Sequence, residues 1–141
     1  MGEGNEIQVI TFDCPIPVFI MISCVIIDDE KKSRKTFEKI VERYLSSKLK
    51  IVYSAKSVND GVSAIHKYHP DLVFLDIGMP EENGFKLFEY FDKVPFSVVF
   101  LSAVQNYAID ALRRGAFDYL LKPLDHIELE NMIERFENIK K

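Results

Sequence analysis

Solidly apolar runs and amphipathic stretches alternate along most of this chain. Predominantly apolar runs at 23–27, 72–75 and 96–101 read as short strands buried on both faces. Less apolar runs at 50–54 and 117–121 read the same way. Between them lie segments whose apolar residues recur at helical spacing. The first, over 32–45, places Phe37, Ile40, Val41 and Tyr44 on one face. A second helix is predicted over 58–68, with Ser57 and Asp60 as its cap. A third is predicted over 85–91 after the turn Glu81-Glu82-Asn83-Gly84, and a short fourth over 106–113, stopped by Gly115. A fifth starts at Asp125, with Glu128 completing a capping box and Leu129, Met132, Ile133 and Phe136 as its buried face. Strict alternation of strand and helix predicts an α/β fold, a five-stranded parallel sheet with helices on both faces.

The first 20 residues depart from this pattern. A strand is conceivable over 7–12, but Cys14-Pro15-Ile16-Pro17 breaks regular pairing. Regularity begins at Met21, so residues 1–20 are expected to be an N-terminal extension and 21–141 the domain proper. The extension is read either as irrelevant to function or as an arm adding an edge strand or a dimer contact. The apolar run over 15–27 is too short to span a bilayer, and the acids before it are the opposite of a signal peptide. The chain's 141 residues suit one domain with a real core. A net charge of −4 argues against a nucleic-acid surface within it. Cys14 and Cys24 offer no disulfide framework and no metal spacing, which fits a reducing cytoplasm.

The candidate chemistry lies at strand ends. The first strand ends in Asp28-Asp29, the third in Asp76, the fourth in Ser102, and the fifth in Lys122-Pro123. In a doubly wound sheet these ends share one edge. A buried apolar strand has no structural need for a terminal carboxylate. At an effective dielectric of about 20, two carboxylates 4 Å apart repel by about 4 kcal/mol. A hard divalent cation relieves that, and an oxygen site retaining water suits Mg²⁺. Lys122 adds a flexible point charge and Ser102 a hydroxyl. Together these groups suit a phosphoryl group arriving on a carboxylate oxygen.

These pieces, in this order, resemble the receiver domain of two-component response regulators. They are Asp28-Asp29-Glu30, Asp76-Ile77-Gly78-Met79-Pro80 with Gly84, Ser102-Ala103, and Asp118-Tyr119-Leu120-Leu121-Lys122-Pro123, and they cover about 22–138. The resemblance implies the sheet order 2-1-3-4-5. It implies Asp76 as phosphoacceptor, with Asp29, Asp76 and the backbone carbonyl of Gly78 ligating Mg²⁺ and Asp28 acting mainly through water. Lys122 would pair with the phosphoryl oxygens, and the Lys122-Pro123 bond would be cis. Ser102 and Tyr119 would be the switch pair, and Gly78 and Val104 would flank the phosphate position. The implied partners are a sensor histidine kinase and a second copy, met through the helix 4–strand 5–helix 5 face. The stretch from Phe100 to Leu112, with Tyr107-Ala108, resembles receivers attached to LytTR-type DNA-binding domains. The chain ends where the fifth helix should, so it reads as the receiver portion of a longer transcription regulator, or else as a stand-alone receiver.

Blander readings exist for each residue. Asp28 and Asp29 could cap the first helix, Ser102 could be a turn hydroxyl, and Tyr119 could be core. His66, His69 and His126 have no ligand spacing, and the basic run Lys31-Lys32-Ser33-Arg34-Lys35 reads as a solvated helix start. Phe85, Phe88 and Phe91 read as core or partner surface. Among other functions, a haloacid-dehalogenase-like phosphatase wants a second aspartate where Gly78 stands, and a dinucleotide site wants a glycine-rich turn after the first strand. A phosphorylation-independent docking module is the remaining alternative. The expected protein is thus a phosphoacceptor and not an enzyme in the ordinary sense, cytoplasmic, with no membrane contact.

Overall fold

The computed structural model describes residues 21–78 and 84–140. The strand expected over 7–12, Cys14, Met79-Pro80, the turn at 81–83 and Lys141 lie outside the described residues. Five strands form one parallel sheet: β1 (Ile22–Ile27), β2 (Leu49–Ala55), β3 (Leu72–Asp76), β4 (Ser97–Ser102) and β5 (Asp118–Leu121). Their order is β2-β1-β3-β4-β5, as expected. The α-helices among the described residues are α1 (Lys31–Tyr44), α2 (Val58–Tyr68), α3 (Ala108–Arg113) and α4 (His126–Lys140). The predicted fourth and fifth helices are therefore α3 and α4.

Side-chain alternation along the strands divides the core into two layers. Cys24, Ile26, Leu72, Phe74, Val99 and Leu101 face α1 and α4, meeting Phe37, Val41, Leu129, Met132, Ile133 and Phe136. Val25, Ile27, Val73, Leu75, Val98 and Phe100 face the other way, onto Val58, Ala64, Ile65 and Ala111. The α4 face predicted from helical spacing is fully buried. Ser57 caps α2 by accepting the Asp60 N–H at 3.1 Å, as its position predicted. Gly115 ends α3 with φ +85°.

Two expectations need correction. The third helix is a 3₁₀ segment, Gly84–Tyr90, not an α-helix. Three residues per turn set positions 85 and 88 in one row. Phe85 and Phe88 accordingly both lie against Phe100, at 5.1 and 6.0 Å between ring centroids. Phe91, just beyond, packs on Phe96 at 5.2 Å. The second correction is Tyr44, which is exposed rather than core. It stacks on His126 of α4 at 3.8 Å, so it clasps two helices across the surface.

α2 approaches the sheet closely at Gly61. A Cβ there would stand 2.3 Å from Ile27 Cδ1 and 2.6 Å from Ile27 Cγ1. Ile27 is the last residue of β1, directly before Asp28.

Candidate functional site at the carboxyl edge of the sheet

All the polar strand ends meet at one edge, as the topology required. Asp28 leaves β1 with its N–H still donating to the Ala55 carbonyl at 3.0 Å, an extension of the ladder that buries the residue. Its Oδ1 accepts the Glu30 N–H at 2.9 Å and its Oδ2 accepts from Lys122 Nζ at 2.8 Å. Arg34 donates to its carbonyl oxygen at 2.7 Å. Asp29, next in the chain, is exposed. Asp76 ends β3, 7% exposed, and its Oδ1 accepts the Gly78 N–H at 2.9 Å. Its Oδ2 is 3.4 Å from Lys122 Nζ. Lys122 is fixed at its root by its own N–H, which donates to the Ser102 carbonyl at 2.8 Å, and the Lys122-Pro123 bond is cis.

Ser102 ends β4 almost completely buried, and its Oγ accepts the Val104 N–H at 3.1 Å. Tyr119, half-buried on β5, donates its hydroxyl hydrogen to the Val104 carbonyl. The two expected switch residues thus hold the same residue, one by each side of its backbone.

Charge at this edge is unbalanced among the described residues: the Asp28, Asp29 and Asp76 carboxylates face the Lys122 ammonium and the Arg34 guanidinium. Burial raises the Asp28 carboxyl above the ordinary range. The Lys122 hydrogen bond, the Glu30 N–H and the Lys122 charge offset only part of that rise. Burial alone would lower the Lys122 ammonium, but the hydrogen bond and charge of Asp28, followed by those of Asp76, outweigh it and leave it raised. Carboxylate oxygens of Asp28, Asp29 and Asp76 lie within 4.8 Å of one another. Anionic, all-oxygen donors at that spread fit a hard cation such as Mg²⁺, with Asp29 free to rotate into place. Cys24 lies fully buried in the core layer facing α1 and α4, and burial pushes its thiol up.

Other residues fall outside the site. His66 stacks on Phe91, and His69 ends α2 in the left-handed region at φ 47°. The basic run is only partly the solvated surface expected. Lys31, Lys32 and Lys35 are exposed, but Ser33 and Arg34 are half-buried and reach the site. Sequence reasoning missed both, and with them the Glu30 side chain. The available signal was their place in the first turn of α1, directly after the acid pair.

Fold and site together are those of a flavodoxin-like α/β module with an acid–lysine cluster at its carboxyl edge. The chain belongs to the response regulator receiver domain family, whose profile matches residues 24–134. It is 38% identical over 117 residues to the transcriptional regulatory protein BtsR of Escherichia coli K12, covering 82% of this chain and 48% of that protein. It is 31% identical over 122 residues to the sensory transduction protein LytT of Bacillus anthracis, covering 85% of this chain and 49% of that one. The chain therefore spans about half the length of these curated relatives. Among solved structures, the response regulatory domain of mrkE from Klebsiella pneumoniae superposes with TM-score 0.72 at 25% identity, covering 84% of this chain and 97% of that one. A response regulator receiver domain from Clostridium thermocellum gives 0.73 at 25% identity, covering 85% and 97%. No helix among the described residues is long and apolar enough to cross a membrane.

Proposed function

We propose that this receiver domain is switched by phosphorylation of Asp76, with a histidine kinase as donor. An Asp76 carboxylate oxygen attacks phosphorus. The O–P bond forms as the P–N bond of the kinase's phosphohistidine breaks, and the electron pair stays on the imidazole nitrogen. The observation that carries this reading is the Lys122 ammonium set between Asp28 and Asp76, at 2.8 and 3.4 Å. There it can turn to a phosphoryl oxygen on Asp76 without leaving Asp28. Asp28, Asp29, Asp76 and the Gly78 carbonyl would hold Mg²⁺, which when bound neutralises charge on the phosphoryl oxygens.

Ser102 would then release the Val104 N–H and donate its hydroxyl to the phosphoryl group, and Tyr119 would follow into the vacated space. The rearrangement would reach the α3–β5–α4 face, where Ile109, Leu112 and Ile127 are exposed and available to a second copy. The relatives named as transcriptional and sensory transduction proteins, about half of whose length this chain spans, support a LytTR-type DNA-binding output domain controlled by this face. The cytoplasm, where kinase and ATP are found, is the compartment this reading requires.

Acetyl phosphate with MgCl₂ should add the mass of one phosphoryl group, and Asp76→Asn or a chelator should abolish the gain. A gain that survives in Asp76→Asn overturns the assignment. A folded native chain that never gains mass from donor or kinase would instead be a phosphorylation-independent docking module.

A further inference from the structure

The Ser33 hydroxyl has one hydrogen, and it goes to Glu30 Oε1 at 2.7 Å. That leaves an oxygen lone pair turned toward Lys122 Nζ, 3.3 Å away. An ammonium has three hydrogens to donate. Those of Lys122 are met by Asp28 Oδ2 at 2.8 Å, Ser33 Oγ at 3.3 Å and Asp76 Oδ2 at 3.4 Å. Glu30 in turn gives its backbone N–H to Asp28 Oδ1 at 2.9 Å. The contacts close a ring that runs from Asp28 through Glu30 and Ser33 to Lys122 and back to Asp28.

We infer that Ser33 is a positioning residue that sets the orientation of the Lys122 ammonium for phosphoryl transfer. A lysine head sits on a flexible four-carbon stem and rotates freely about its last bond. Of its two carboxylate contacts only that to Asp28 is short, at 2.8 Å, while that to Asp76 is 3.4 Å, so the pair alone holds its rotation and the lateral swing of the stem loosely. The third acceptor removes that freedom, and Glu30 keeps the acceptor oriented, because a hydroxyl whose proton is committed cannot turn that proton on the ammonium. The side chain of Lys122 is 23% exposed, so the alternative third partner is bulk water. The side-chain hydrogen bonds of Ser33 run to Glu30 and Lys122, so it would act through Lys122. The inference rests on the proposed pairing of Lys122 with the phosphoryl group.

Two readouts on the full chain test it. Proton exchange of the Lys122 ammonium with water, followed by ¹⁵N NMR, reports its restraint without any reaction. Phosphorylation by acetyl phosphate reports the chemistry: the Asp76 oxygen bonds to phosphorus and the P–O bond to acetate breaks, its electron pair leaving on acetate. In Ser33→Ala, exchange should accelerate and the phosphorylation rate at saturating donor and Mg²⁺ should fall, each about three- to tenfold, the size one net hydrogen bond carries. Ser33→Thr, which keeps the hydroxyl, should restore both. Glu30→Ala should slow transfer as well, and the double variant Glu30→Ala/Ser33→Ala should be no slower than Ser33→Ala. Unchanged ammonium exchange in Ser33→Ala overturns the inference, as does faster exchange with an unchanged transfer rate. Additive losses in the double variant overturn the ring. If the native chain takes no phosphoryl group, the phosphoacceptor reading fails, whereas the exchange measurement still decides whether Ser33 restrains Lys122.

Discussion

Gly61→Ala tests whether the contact between α2 and β1 is as tight as the geometry demands. Two effects oppose each other. In a helix interior, alanine is favoured over glycine by about 0.5–1 kcal/mol. Against that, the new methyl would lie 2.3 Å from Ile27 Cδ1 and 2.6 Å from Cγ1. Ile27 is completely buried between α2 and the sheet, so it has no open side to retreat into. Overpacking of this kind costs about 1–3 kcal/mol. The steric cost wins, and the net loss should be about 1 kcal/mol. The chain has no tryptophan, so urea unfolding is best followed by far-UV circular dichroism. A double-mutant cycle isolates the cause. Ile27→Ala alone should cost about 2–5 kcal/mol. Combined with Gly61→Ala it should cost at least about 1 kcal/mol less than the sum, because the methyl then occupies space that Ile27 vacated. Additivity within about 0.5 kcal/mol, or a Gly61→Ala protein as stable as the native one, would refute the reasoning.

Two further predictions concern a helix start and the site. Ser57→Ala removes the side-chain acceptor for the Asp60 N–H and should lower stability by about 1 kcal/mol in the same urea assay. Lys122→Met leaves the Asp28 carboxylate buried without its cation. Breaking a fully buried pair costs about 3–5 kcal/mol, and solvent access to Lys122 should reduce this to about 2. Thermal unfolding with and without MgCl₂ checks the origin of that loss: Mg²⁺ should raise the midpoint more in Lys122→Met than in the native protein, and an equal shift would count against the shared-charge account.

Much of this molecule was legible before any coordinates. Asp28 and Asp76 stand out because strands as apolar as β1 and β3 have no reason to end in acid, and a parallel sheet brings such ends together. Lys122 and Ser102 follow from the same rule. What stayed hidden depends on distances rather than patterns. Helical spacing puts Tyr44 on the same face as Phe37, but at this end of α1 the core is filled by Val41 and Leu45, and Tyr44 turns onto His126. The 3₁₀ segment is written in nearly the same letters as an α-helix, and because positions three apart share a face in both, the placing of Phe85 and Phe88 could not tell them apart. Ser33 sits in a run of cations that any solvated helix could start with. Its neighbour Lys122 lies 89 residues away, and no local pattern announces that meeting.

Val104 is held at its N–H by Ser102 and at its carbonyl by Tyr119, while its own side chain is 43% exposed. Both tethers use atoms that nearly every amino acid supplies in identical form; proline alone would lack the N–H. The identity of the residue at 104 is therefore uncoupled from the two bonds that hold it. A substitution there changes the bulk, polarity or charge presented beside Ser102 and Tyr119 while leaving both tethers available. Position 104 is thus a place where the surface can change without any change to the fold that holds it.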